Sequence, residues 1–310
     1  MTNLEFLKTL TATAALSIAF CESVRAADTG DCGPNCRYSY DSSTHTLTYT
    51  GTGENGAGII NIPNTYYELS GTIKNMIIEE GITDILRGQA SALQGGEGTG
   101  KLVLPSTLQN LNFGSVFDLN FKEIEINSTQ LSVAQAGFRL AGASNPTVIM
   151  SANANISFDN RAFEIARDYP ASLTIACKGK PETCLEKFGN SLNNMTGTIT
   201  ANYYEERDKN GKLTLKYNDT GYETYDANGN VAASYTLGGK LMAQYDTKGN
   251  VIARYDENGT MRYAKDENGS SYSFDANGNL SGMTKRGPFT IPEANALTKD
   301  GPVNTVTITW

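Results

Sequence analysis

The sequence predicts a mainly β protein in two parts: an irregular solenoid with coils of about 25 residues, then short strands joined by tight turns, as an antiparallel meander or a narrow β-solenoid. Three observations carry this prediction. Short apolar strand signals recur at nearly constant spacing through the first half. Glycine-closed turn signals recur about every ten residues through the second. Composition agrees, with 31 Gly and 16 Tyr against one Trp and one His, a balance that suits many turns and aromatic strand faces.

The first series is Met76-Ile77-Ile78, Leu102-Val103-Leu104, Ile124-Glu125-Ile126, Val148-Ile149-Met150 and Leu173-Thr174-Ile175. Its central residues step by 26, 22, 24 and 25, the length of one coil in a leucine-rich-repeat-like solenoid. Each unit reads as one strand and a return arc. The arcs 109–117, 131–138 and 156–163 carry spaced apolar anchors ending in Phe117, Phe138 and Phe163, which would fill the core behind the strands because one repeat cannot bury its own apolar face.

Cys32-Gly-Pro-Asn-Cys-Arg-Tyr-Ser-Tyr40 followed by Thr46-Leu-Thr-Tyr-Thr-Gly-Thr-Gly53 resembles the strand pair that opens bacterial BspA-type leucine-rich-repeat surface proteins. Ile73 to Ile85 is similar to that family's repeat, a strand followed by a glycine and a second short apolar stretch. The likeness spans roughly residues 31 to 188 and implies a surface-exposed binding or adhesion protein without catalysis.

The second series is tighter. Eight four-residue turn signals end in Gly211, Gly221, Gly229, Gly239, Gly249, Gly259, Gly269 and Gly278, and most begin with Asp or Asn. An Asp or Asn can hydrogen-bond the backbone two residues on, and a fourth-position glycine accepts φ > 0, so each unit reads as a type I turn closed by a glycine bulge plus one strand. Alternation along the strands sets Val231, Ala233 and Tyr235 to one side, with Leu241, Ala243, Tyr245 and Val251, Ala253, Tyr255 read the same way. Tyr225, Tyr235, Tyr245 and Tyr255 thereby become a candidate contact face. Tyr225-Asp226, Tyr245-Asp246, Tyr255-Asp256 and Phe274-Asp275 resemble the YD (Rhs-type) repeats of bacterial exported proteins over residues 203 to 283, although that family's unit is about twice as long. The resemblance implies contact with carbohydrate or a cell surface.

Compartment follows from the N-terminus. One basic residue, an apolar run from Leu10 to Phe20 too short to span a bilayer, and small residues around Ala26 read as a signal peptide over 1–26. Cys21 follows the bulky Phe20, which disfavours a lipoprotein signal. The mature chain is then 284 of 310 residues, not transmembrane, and secreted, held at a bacterial cell surface, or periplasmic. Its four cysteines, Cys32, Cys36, Cys177 and Cys184, enter an oxidising space and are expected to pair locally as 32–36 and 177–184. Net charge is −8, without a basic patch, so nucleic acid is excluded as a partner.

No chemistry-bearing constellation emerges. The only histidine, His45, lies in turn-like Ser43-Thr-His-Thr46, so neither a catalytic triad nor a zinc site is assigned. Asp-x-Asn-Gly lacks the sixth-position glycine and closing Glu of a calcium loop and reads as turn chemistry. Glu79, Glu80, Glu123 and Glu125 are the carboxylates that a carbohydrate-active enzyme could use, and Glu123 and Glu125 flank Ile124 on the solvent side of a strand. The expected organisation is a signal peptide (1–26), a solenoid with an N-terminal strand pair (27–200), ten-residue repeats (201–286), and a short helix with a terminal strand ending in Trp310 (287–310). The expected function is non-catalytic binding or adhesion to a surface protein or glycan, without cofactor or metal. A secreted carbohydrate-active enzyme and a structural spacer are the rivals.

Overall fold

The computed structural model describes residues 29–61, 73–86, 100–112, 116–119, 121–140, 145–165, 172–192 and 197–285. The expected signal peptide, the helix expected from Pro292 and the strand expected to end in Trp310 lie outside the described residues. Those described form two compact units, 29–175 with 185–200, and 176–184 with 201–285.

The first unit opens with β1 (Thr29–Gly33), β2 (Cys36–Asp41) and β3 (Thr46–Gly51), an antiparallel series. β3 then pairs in parallel with β5 (Asn75–Ile78), which pairs with β7 (Lys101–Leu104), β10 (Glu123–Ile126) and β13 (Thr147–Ser151) in turn. Register aligns Leu47, Met76, Leu102, Ile124 and Val148 in one inward row, and all five are fully buried. These are the apolar triplets of the sequence, coiled into a β-solenoid of about four turns.

The return arc differs from expectation. It holds a second parallel sheet, β4 (Gly58–Ile60), β6 (Ile82–Ile85), β8 (Asn110–Leu111), β11 (Gln130–Val133) and β14 (Asn155–Phe158). Later coils add a third, β9 (Val116–Leu119), β12 (Phe138–Leu140) and β15 (Phe163–Ile165). One strand per coil is therefore corrected to two or three. The cause is stacking: Ile85, Leu111, Val133 and Phe158 take equivalent register positions, and once neighbouring arcs align, their backbones complete a hydrogen-bonded ladder. Phe138 and Phe163 stack at 4.8 Å between centroids inside the core.

β16 (Leu173–Lys178) and β17 (Ile199–Tyr203) cross the unit boundaries in sequence, with α1 (Pro181–Phe188) between them. Phe188 closes the last coil, stacking on Phe158 at 4.4 Å and tilting against Phe163 at 5.3 Å. Lys187 Nζ donates to the Ala154 carbonyl at 2.6 Å.

Among the described residues, 205–284 of the second unit form one sheet of nine consecutive antiparallel strands: β18 (Glu205–Arg207), β19 (Leu213–Tyr217), β20 (Gly221–Tyr225), β21 (Val231–Thr236), β22 (Leu241–Tyr245), β23 (Val251–Tyr255), β24 (Met261–Lys265), β25 (Ser271–Phe274) and β26 (Leu280–Thr284). Sequential antiparallel pairing settles the choice between meander and narrow solenoid in favour of the meander. No second layer covers it among the described residues of the unit. Its buried side chains are mostly small, Ala233, Ala243, Ala253 and Ala264 at mid-strand, and cohesion comes from cross-strand pairs worth about 0.2–1 kcal/mol each.

Candidate functional site

The turns of this sheet share one construction. In the unit at 226–229 the Gly229 N–H donates to the Asp226 carbonyl at 3.0 Å, and the Asp226 N–H to the Asn230 carbonyl at 2.8 Å. Asp226 Oδ1 accepts the N–H groups of Asn228 at 2.7 Å and Asn230 at 2.9 Å. Gly211, Gly229, Gly239, Gly249, Gly259, Gly269 and Gly278 all have positive φ, between 79° and 85°, and a bulge follows most of these turns, as a type I turn closed by a left-handed glycine requires.

Gly221 departs from the set. Its φ is not positive; a Cβ there would stand 1.8 Å from the Tyr235 carbonyl oxygen, so the glycine serves close backbone approach. Its N–H donates to Asn218 Oδ1 at 2.9 Å, a side chain replacing the usual carbonyl.

The turn carboxylates are already engaged. Asp246 Oδ1 accepts the N–H groups of Lys248 and Asn250, and its Oδ2 accepts Asn250 Nδ2 at 2.9 Å. These bonds hold Asp208, Asp226, Asp246 and Asp275 below the usual carboxylate range. The largest cause is a backbone N–H for Asp208 (from Lys212), Asp226 (from Asn230) and Asp275 (from Asn279), and the Asn250 amide for Asp246. Among the described residues no three metal-ligating side chains converge. Turns at the same end of the sheet are also tied across the intervening pair of strands, with Asn230 Nδ2 donating to the Thr247 carbonyl at 2.8 Å at one end and Lys240 Nζ to the Glu257 carbonyl at 2.9 Å at the other.

The tyrosine face requires a correction. Register places Ala233 opposite Gln244 and Gln244 opposite Ala253, while Ser234, Ala243 and Arg254 align with one another. Directly opposed residues share a face, so Ala233, Tyr235, Ala253 and Tyr255 lie on one face and Ala243 and Tyr245 on the other. Tyr225 joins Tyr245, since its hydroxyl bonds Glu223, whose partner is Ser234. From β20 to β24 the ten-residue period reverses face at every strand, because the glycine bulge adds a residue at each of these turns, and the side-chain pattern repeats every second strand.

What the sheet does bring together is a different row. Tyr204, just before β18, and Tyr217, Tyr222 and Tyr235 on β19, β20 and β21 succeed one another with centroids 6.0, 5.0 and 4.7 Å apart, and the last pair is nearly parallel at 10°. Lys178 Nζ stands 5.2 Å from the Tyr204 centroid. Tyr217 and Tyr222 flank the 218–221 turn, and the absence of a bulge there is what aligns them directly. On the same face Met242 is 46% exposed and the Tyr255 hydroxyl bonds Gln244 Oε1 at 3.2 Å. The opposite face is charged, with Glu205 bridging Lys216 at 3.0 Å and Arg207 at 2.9 Å.

In the solenoid unit the singled-out residues do structural work. Cys32 is joined to Cys36, and in the second unit Cys177 is joined to Cys184, the expected local pairs. His45 has φ 53° in a tight turn, its Nδ1 3.0 Å from the Tyr40 hydroxyl. Asp41 braces that turn through Ser43 and Thr44, whose hydrogen bonds, the Ser43 hydroxyl first, lower its pKa to about 2. Glu79 Oε2 accepts the Thr50 hydroxyl at 2.8 Å, Glu80 accepts the backbone and hydroxyl of Ser106, and Glu125 lies 3.7 Å from Lys101 Nζ. Each of these three ties one coil to the next.

The class that this architecture defines is a β-solenoid followed by an antiparallel β meander. Comparison with protein families, curated proteins and solved structures finds no match to the chain.

Proposed function

We propose that the protein is an exported, cell-surface binding or adhesion protein without catalysis, and that its contact surface is the sheet face carrying Tyr222, Tyr235, Met242 and Tyr255. The observation that carries this reading is a nine-stranded sheet with no described second layer and an aromatic row on one face. Sheets ordinarily bury such a face against another layer, and an apolar face left open marks an interaction surface. From β20 to β25 the strand residues of this face include Tyr222, Tyr235, Met242, Gln244, Tyr255 and Arg262, and Tyr, Met and Arg are enriched in protein–protein interfaces.

Ring geometry favours a protein partner over a glycan. Sugar stacking needs an open ring face, whereas Tyr222 and Tyr235 stack theirs on each other at 4.7 Å. The two disulfides suit an oxidising compartment. The test is binding of the mature protein to arrayed surface and matrix proteins and to glycans. Tyr235→Ser with Met242→Glu should abolish the signal and Tyr245→Ser on the other face should spare it. Equal loss from both, or turnover of a polysaccharide abolished by one carboxylate change, overturns the reading.

A further inference from the structure

Five turns of the second unit hold an Asn-Gly pair: Asn210-Gly211, Asn228-Gly229, Asn258-Gly259, Asn268-Gly269 and Asn277-Gly278. A sixth, Asn55-Gly56, lies in the first unit. Asn-Gly is the dipeptide most open to deamidation, because no Cβ shields the following nitrogen. That nitrogen attacks the Asn side-chain carbonyl carbon, loses its proton to water and expels ammonia, leaving a cyclic imide. Water then opens the ring to Asp or isoaspartate, adding one negative charge.

All five turn asparagines are exposed, so water reaches them and burial offers no protection. The attacking nitrogen is what the turn withholds. Gly211, Gly229, Gly259, Gly269 and Gly278 each donate their N–H to the carbonyl of the Asp three residues back, at 2.9, 3.0, 2.9, 3.0 and 3.1 Å. In four of the turns the Asp side chain also holds the N–H of the asparagine itself, at Asn210, Asn228, Asn258 and Asn277. Cyclisation must break the glycine bond and rotate the asparagine out of the turn, so it proceeds only from an opened hairpin.

Hairpins do not open equally. Every residue of β26 is exposed, with Leu280 at 52% and Met283 at 48%, and among the described residues this strand has one neighbour. β21 and β23 each have two, and turns there are cross-tied by Asn230 and Lys240. We propose that the Asn-Gly turns are latent deamidation sites locked by the glycine N–H bond, and that they fail from the edges of the sheet inward, Asn277 at the exposed β26 edge first and the interior Asn228 and Asn258 last. The reaction is one-way once ammonia has left, and where the ring opens to isoaspartate the backbone gains a methylene and a second negative charge stands near the turn Asp, so the bulged turn cannot reform.

The experiment incubates the intact protein in mildly alkaline buffer below its melting temperature and follows each site by peptide mapping. A parallel sample is held in urea. Native Asn277 should react at least about tenfold faster than Asn228 and Asn258, reflecting the lower cost of opening an edge, and in urea the sites should converge. Native Asn228 or Asn258 matching Asn277, or native rates equal to those in urea, would overturn the proposal. Asp226→Ala, which removes the side-chain clamp, should accelerate Asn228 and leave Asn258 unchanged; acceleration of neither would show that the turn is no lock. The wild-type comparison decides the matter even if that variant folds poorly.

Discussion

At the scale of single residues, two glycines with the same sequence signature meet opposite demands. Gly249 has φ 81° and nothing within 4 Å of where a Cβ would stand, so only its backbone conformation requires glycine. Gly221 has ordinary φ but no room. Asn tolerates the left-handed region well, whereas β-branched residues do not. Gly249→Asn should therefore cost a few tenths of a kcal/mol and Gly249→Val more than about 1 kcal/mol. At Gly221 even Ala should cost more than about 1 kcal/mol, because backbone must move to admit it. Thermal melts of the four proteins including wild type check the order, and a tolerated Gly221→Ala would refute the close-approach account.

At the scale of elements, the solenoid's last coil is closed by one side chain. Phe188 is 1% exposed and contacts both Phe158 and Phe163, so truncation removes core volume where no further coil can fill the gap. Phe188→Ala should destabilise the first unit by about 3–5 kcal/mol, whereas Leu185→Ala on the same helix, at a residue 40% exposed, should cost under about 1 kcal/mol. Denaturant melts of both variants would show it, and near-equal midpoints would mean that the helix does not cap the coil. The arc anchor Phe163 was legible from its spacing. Phe188 was not, because nothing in Leu185-Glu-Lys-Phe188 marks it as a partner for residues 25 to 30 positions earlier.

Across the whole molecule, pH acts on the sheet through groups of both kinds. Asp208, Asp226, Asp246 and Asp275 are held below their usual pKa by hydrogen bonds to the charged form. A depressed folded pKa gives stability that is present above the unfolded value, 3.8, and lost as pH falls through the folded one. Tyr225 is raised from 10.0 to about 12, by desolvation first and then by its bond to Glu223. Its contribution is intact below pH 10 and disappears as pH climbs toward 12. Tyrosine near-ultraviolet dichroism should hold steady from pH 5 to 9 and collapse on both flanks, and Asp226→Asn should move the acid limb to lower pH. An acid limb unmoved by neutralising Asp226 and Asp246 together would show that these turns do not set it.

The class of each half follows from residue spacing alone. Apolar triplets at 22 to 26 residue steps can bury their inward side chains only by stacking coil on coil, and glycine-closed Asp turns every ten residues can only reverse a strand. The cysteine pairs were legible for the same local reason. Features that depend on register emerge only when the coils and strands are brought side by side. A return arc becomes strand when the adjacent coil offers backbone partners, which no single coil reveals. Likewise Tyr225, Tyr235, Tyr245 and Tyr255 look equivalent along the chain, yet one bulge residue per turn deals them alternately to two faces, and the row that forms is Tyr204, Tyr217, Tyr222 and Tyr235. Side-chain direction in a strand has period two, so a one-residue shift at each turn inverts the face, and that shift is set by the glycine conformation and its hydrogen bond, not by the residue types on the strand.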